Sequence, residues 1–269
     1  ATRVWRSHGK AWLLSSPLIE MLDERQQRRP PYPITWSEQA ELMKHLPAHL
    51  QRMVLFALNC GARDDNVCRL QWAWERKVPE LERSVFVIPA AEFKGQRPHV
   101  LILNDVATKI VEECRGDHDE FVFVWRRERV KNIEDEPVMP YRPVHTMNNT
   151  AFQNARRAAK LERARVHDLR HTVGMRLCEA GVPESTVADI LWHSSPSMTR
   201  HYSVAQIVEL HAALEKIKED SGRWNKSLAT LRREHEEAKR VALGGESHPK
   251  SPKSHPAKKN GLALAELTR

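Results

Sequence analysis

The chain has 269 residues, a formal net charge of +8 and 41% hydrophobic residues. That supports one sizeable buried core with appendages, and the excess of Lys and Arg points to an anionic partner such as nucleic acid. The longest apolar stretch, MVLFAL at 53–58, is too short to cross a bilayer, and the opening ATRVWRSHGK lacks the apolar centre of a signal peptide. Cys60, Cys68, Cys114 and Cys178 are scattered with no C-x-x-C pair. They read as buried thiols of a reducing compartment, not as a disulfide framework or a zinc knuckle.

Residues 1–33 are basic, Trp-bearing and end in RRPPYP, as a linker does. TWSE predicts a helix starting at Thr35, with Glu38 closing a capping box. PAHLQRMVLFALNC predicts a second helix, opened by Pro47 and ended by Gly61. DDNVCRLQW reads as a further short helix. SVFVIPA (84–90) and HVLIL (99–103) are β-rich runs, and the FKGQR between them predicts a hairpin. NDVATKIVEECRG carries both helix signals, Asn104 and Gly116. EFVFVW is expected as a third strand, and 126–145 as a charged loop.

Helices then dominate, over about 147–161, 168–180 and 183–191. Another follows Ser203, with Ile207, Leu210, Leu214 and Ile217 forming an apolar stripe. That stripe fits either docking on a neighbouring protomer or packing on its own domain. The stretch 229–243 reads as a solvated charged helix, and the tail from Gly244 as a disordered basic segment. The fold class is therefore α+β, mainly α-helical, with a small three-stranded antiparallel sheet.

VHDLRHTVGM at 166–175 raises a choice of chemistry. His167 and His171 have the i, i+4 spacing of a helical zinc pair. A zinc protease helix, however, places Glu after the first His, where this chain has Asp168, and no third ligand follows at a diagnostic spacing. His167 and Arg170, at i, i+3, suit a phosphate instead. Arg63 stands at the tip of a helical step in NCGARDDNVCRLQW, and Lys94 in the hairpin turn with Arg97 as its rival. LWHSSPSMTRHYS places His193 and, nine residues on, Tyr202. No Walker or dinucleotide glycine motif and no G-x-S-x-G elbow is present.

These pieces, in this order, resemble the tyrosine recombinase (phage integrase) family over roughly 34–205. Its landmarks are GAR, FKGQRPHVLILN, HDLRHT, LWHSS and MTRHYS. The resemblance implies a site of Arg63, Lys94, His167, Arg170, His193 and Tyr202. Tyr202 would attack a DNA phosphodiester and His167 would accept its proton. Arg63, Arg170 and His193 would hold the phosphate, and Lys94 would protonate the leaving oxygen. His171 reads as a brace for the helix, and Asp168, in its first turn, as a carboxylate suited to the helix dipole.

Neither metal nor cofactor is implied. The expected partners are double-stranded DNA and further copies of the chain, in a tetramer on DNA, with no membrane. The expected location is the cytoplasm, at the nucleoid. Two departures stand out: Trp192 where the family usually has Gly, and Asn66 where it usually has an acid.

The expected domains are 1–33, the end of a missing or truncated core-binding domain with its linker, and 34–218, the catalytic domain. A charged helix at 219–243 and a disordered tail at 244–269 follow. The chain thus reads as a fragment or a truncated relative. A catalytically silent relative of the same fold, a zinc hydrolase using HDLRH and a type IB topoisomerase are the competing readings.

Overall fold

The computed structural model describes residues 6–7, 10–11, 29–92, 98–126, 141–193, 207–222 and 228–242. Two short strands, β1 (Arg6–Ser7) and β2 (Lys10–Ala11), pair antiparallel near the start. The tail from Gly244 lies outside the described residues. Residues up to Arg223 form one compact unit and those from Trp224 another.

Helix α1 (Trp36–His45) begins where the sequence places it. Thr35 Oγ1 accepts from the Glu38 amide at 3.2 Å, and Glu38 Oε2 accepts from the Thr35 amide at 2.7 Å. Helix α2 (Ala48–Cys60) is apolar nearly all round and therefore runs through the core, with Leu50, Met53, Val54, Phe56 and Leu58 fully covered. Gly61 ends it in the left-handed region, φ 71°, and its amide donates to the Ala57 carbonyl. Helix α3 (Asp64–Cys68) is shorter than DDNVCRLQW suggests, and one turn of 3₁₀ helix follows at Trp72–Trp74.

Strands β3 (Glu75–Val78), β4 (Arg83–Ile88) and β5 (His99–Leu101) form the three-stranded antiparallel sheet in that order. The expected hairpin is β4–β5, with Phe86 opposite Leu101 and Ile88 opposite His99. The third strand differs from expectation. It is Glu75–Val78, while EFVFVW supplies only β6 (Val124–Arg126), which pairs with β7 (Tyr141–Pro143) in a separate sheet. The reason is packing. Val122, Phe123 and Val124 are all buried in succession, so this stretch threads the core, and Phe123 meets Phe56 edge to face at 4.9 Å. β7 also corrects the all-loop reading of 126–145.

Helix α4 (Asp105–Glu113) is capped by Asn104, whose Oδ1 accepts from the Ala107 amide at 3.0 Å. Helix α5 (Thr150–Ala158) is capped likewise by Asn149. Helix α6 (Val166–Glu179) starts two residues earlier than expected, which places His167 in its first turn. It packs on α2, and its Arg176 guanidinium lies 3.4 Å over the Trp36 ring.

Helix α7 (Glu184–Ile190) and helix α8 (Ile207–Glu215) complete the first unit. A second apolar cluster joins Val173 and Leu177 of α6, Val187 and Ile190 of α7, and the α8 region. Leu214 and Ile217 are buried in it, with Ile207 and Leu210 packed alongside. The α8 stripe thus packs on its own domain, the second of the two arrangements it fits. Asn104 Nδ2 reinforces this by donating to the Leu214 carbonyl at 3.1 Å.

Cys60, Cys68 and Cys114 are buried as expected, but Cys178 on α6 is exposed. In the second unit, α9 (Leu228–Ala242) is largely exposed along its described length, as its charge pattern predicts.

Candidate phosphate-binding site

The site is assembled around Gly61. Its left-handed backbone turns the chain out of α2, and Arg63 follows as the residue that starts α3. Arg170, one turn into α6, reaches the same turn. Its Nη1 donates to the Gly61 carbonyl at 2.6 Å. The Arg170 side chain is buried, yet its Nη2 is enclosed with no hydrogen-bond partner and no carboxylate pairs with it among the described residues.

Burial, and then the charge of Arg63, press the Arg170 guanidinium down to about 10, which still leaves it cationic at neutral pH. Arg63 is lowered from its ordinary value by burial as well. Two cations close enough to repel, one with an unused donor, are an arrangement suited to an anion.

His167 stands on the exposed side of α6 beside this pair. Partial burial, then Arg170 and more weakly Arg63 and Arg165, lower its pKa, while Asp168 opposes them. The lowering favours the uncharged imidazole, the form that accepts a proton. The His171 ring packs perpendicular to it at 4.8 Å and is lowered too, by burial first and His167 next.

Asp168 is fully buried. Its Oδ1 accepts from the Tyr32 amide at 3.0 Å and its Oδ2 from the Arg165 amide at 2.9 Å. It therefore staples the segment entering the domain to the start of α6. Thr172 helps, accepting from the Ile34 amide at 3.0 Å. Among the described residues no group of three or more His, Cys, Asp or Glu is placed to hold a metal ion.

His193 lies just past α7. Its amide donates to the Ala188 carbonyl at 2.8 Å, and the Trp192 amide donates to the Asp189 carbonyl at 3.2 Å. This double closure needs a left-handed residue at Trp192, and the backbone supplies it with φ 51°. A glycine there would adopt that conformation without cost, which is the physical reason a glycine suits the position. The indole is held by its own contacts. Nε1 donates to the Val100 carbonyl at 3.2 Å, and the ring stacks on His99 at 4.8 Å. Trp192 thus ties the end of α7 to β5.

Leu191 seats α7 on the same turn as Arg170. A Cβ at Gly61 would stand 2.7 Å from Leu191 Cδ2, and one at Gly174 would stand 3.1 Å from Leu191 Cδ1. Both glycines leave room for that leucine. Gly174 escaped the sequence reading, although a glycine inside a helix costs stability and so signals a packing reason. The structure accordingly brings Arg63, His167 and Arg170 together and places His193 at the end of the helix that Leu191 anchors to them. Lys94 and Tyr202 lie outside the described residues. Asn66, next to the site in sequence, is buried.

The domain is mainly helical, with a small antiparallel sheet and two adjoining arginines. The Phage integrase family matches residues 34–207, and the chain belongs to that family. It is similar to the integrase of Salmonella phage P22, 30% identical over 207 residues, which cover 76% of this chain and 49% of that protein. Transposase B from transposon Tn554 of Staphylococcus aureus is 22% identical over 187 residues, 69% of this chain and 28% of that protein. The chain thus spans about half the length of the first relative and less of the second. Among solved structures, the integrase from mycobacterium phage Brujita superposes with a TM-score of 0.53 at 18% identity, covering 77% of this chain and 64% of that one.

Proposed function

We propose that this chain carries the catalytic domain of a tyrosine-type site-specific DNA recombinase, which cuts and rejoins DNA through a phosphotyrosyl intermediate. The observation that carries the reading is Arg170: a buried guanidinium with an unused donor, beside Arg63 and His167. Such a pocket suits a phosphodiester. Its two non-bridging oxygens take the guanidinium donors, and the extra charge of the pentacoordinate transition state is stabilised where it develops.

In this reading the Tyr202 hydroxyl attacks phosphorus and its proton passes to His167. A new O–P bond forms at the 3′ side while the bond to the 5′ oxygen breaks. Lys94 gives that oxygen its proton, leaving a free 5′-hydroxyl. Attack by a 5′-hydroxyl from another strand reverses the step and reseals the DNA. The phosphotyrosyl link conserves the bond energy, so the scheme uses neither ATP nor metal. His193 would add a hydrogen bond to the same phosphate.

Double-stranded DNA is the proposed partner, with assembly into a tetramer on it at the nucleoid. Residues 1–33 would be the end of a DNA-clamping domain and its linker.

The test is covalent trapping. A pool of nicked duplexes with randomised flanks is incubated with the chain in EDTA, then resolved in detergent. An SDS-stable protein–DNA adduct is expected, and Arg170→Ala should lower its rate at least about 100-fold. An adduct that forms equally well in Arg170→Ala would overturn the proposal.

A further inference from the structure

A second concentration of arginines lies outside the pocket. Arg29 enters from the segment before α1, Arg156 and Arg157 from α5, and Arg163 and Arg165 from the turn before α6. Arg156 organises that turn, donating from Nη1 to the carbonyls of Glu162 at 2.9 Å and Ala164 at 2.8 Å. The Arg163 guanidinium sits 5.7 Å from the centre of the Tyr32 ring. Like charges crowd here. Arg29 is lowered by burial first, then by Arg165, Arg163 and Arg156, with Asp168 opposing.

Among the described residues two carboxylates act on this group, and Asp168 pairs only with Arg165, which leaves an excess of positive charge. Glu162 is exposed, and both Asp168 oxygens already accept backbone amides, with Arg165 Nε only 3.6 Å from one. Buried donors are left over. Arg29 Nη2 and Arg156 Nε are enclosed without a hydrogen-bond partner. Like-charged guanidiniums with unused donors are stabilised by an anion that bridges them. The surface adjoins the pocket, because Arg165 is two residues from His167 and its charge reaches both His167 and His171.

We propose that Arg29, Arg156, Arg163 and Arg165 form a second phosphate-binding surface that grips the backbone of the same DNA duplex whose reacting phosphate lies between Arg63 and Arg170. This rests on the reading of the pocket as a DNA-phosphate site. A duplex is the occupant the observations favour. Guanidiniums from three separate chain segments, adjoining the pocket through Arg165, carry more positive charge than one small anion would offset and suit a polyanion. Backbone contacts of this kind fix register without reading sequence.

The measurement is the salt dependence of binding of the full chain to a random-sequence 30-bp duplex. Arg163 and Arg165 are chosen because Arg156 holds the turn itself. In the Arg163→Gln/Arg165→Gln double variant the slope of log K against log salt should fall by about 1 to 2, with affinity lost uniformly across sequences. The Arg163→Lys/Arg165→Lys variant keeps the charges and should keep most of the slope. Thermal melting of both variants confirms folding.

A Gln variant that melts normally and keeps the wild-type slope overturns the surface. So does preferential binding of an acidic peptide over duplex DNA, lost in the same variant, which assigns the surface to a protein partner. The two readings fail separately. Trapped adduct with an unchanged slope removes only this surface, whereas a reduced slope with no trapped adduct removes only the catalytic reading.

Discussion

Arg170 donates from Nη1 to the carbonyl of Gly61 at 2.6 Å, and this one bond joins the second turn of α6 to the turn that delivers Arg63. The two arginines therefore share a backbone reference point, although they are far apart in sequence. Gly61 is the only residue type that fits. Its φ of 71° is strained for any L side chain, and an added Cβ would press on Leu191 at 2.7 Å.

Gly61→Ala should destabilise the chain by about 2–4 kcal/mol, combining left-handed strain with overpacking. Denaturant unfolding gives the loss, and the adduct rate at saturating DNA should drop more than tenfold because the carbonyl that aims Arg170 moves. An unchanged unfolding midpoint would show that the turn tolerates the methyl group.

Asp168 makes a comparable link between distant parts of the chain. Its carboxylate serves the amides of Tyr32 and Arg165 in a fully buried position. Asp168→Ala strands both donors and should cost about 2–4 kcal/mol, measured by thermal melting. Hydrogen exchange should rise at Tyr32 and Ile34 ahead of the rest. Uniform exchange with no local rise would mean that the staple is not what holds this segment.

His167, His171 and His49 are each lowered from the ordinary histidine value, by burial first. In the pH range below about 6.5 the unfolded chain takes up protons that the folded chain does not. Stability is therefore undiminished above that pH and falls as pH drops through it. Cleavage should follow the lowered value, so His167 stays unprotonated, and the reaction persists, at pH values where an ordinary histidine is already charged. The acid limb of the adduct rate against pH should lie below 6.5 and disappear in His167→Ala. An acid limb at or above 6.5 would contradict the assignment of His167 as the acceptor.

Trp192 occupies a left-handed position and ties α7 to β5 through the Val100 carbonyl. Trp192→Phe removes that donor and should lower stability by about 1 kcal/mol. Trp192→Gly relieves the backbone but loses the stacking on His99 as well. Both variants should speed amide exchange in His99–Leu101 relative to β3. Equal protection in wild type and Trp192→Gly would show that the indole contributes nothing to the hairpin.

Local signals in the sequence were readable where local chemistry decides. The Thr35–Glu38 capping box, the Gly61 terminus and the Asn104 cap each depend on residues within a few positions, and each formed as expected. The pairing of Arg63 with His167 and Arg170 was legible only through motif order. β3 was not legible, because ERKV has no alternation and becomes a strand through its partner β4. EFVFVW failed for the opposite reason, since it is apolar enough to look like a sheet strand while its burial comes from threading the core.

The reach of Asp168 to Tyr32 spans 136 residues and leaves no local trace. The four-arginine surface likewise gathers side chains from segments more than a hundred residues apart. The α8 stripe showed that a face must be covered but not by what. Lys94 and Tyr202 rest on motif order alone.

The proposed recombinase chemistry requires that Tyr202 become covalently attached to DNA. The most direct measurement isolates the trapped adduct, digests the protein and the DNA, and locates the nucleotide-bearing peptide by mass spectrometry. The chain holds only three tyrosines, Tyr32, Tyr141 and Tyr202, so the assignment is unambiguous. One modified peptide is expected, containing Tyr202 linked to a 3′-phosphate, and no adduct from Tyr202→Phe. An adduct on Tyr32 or Tyr141, a 5′-phosphate linkage, or an adduct surviving Tyr202→Phe would contradict it.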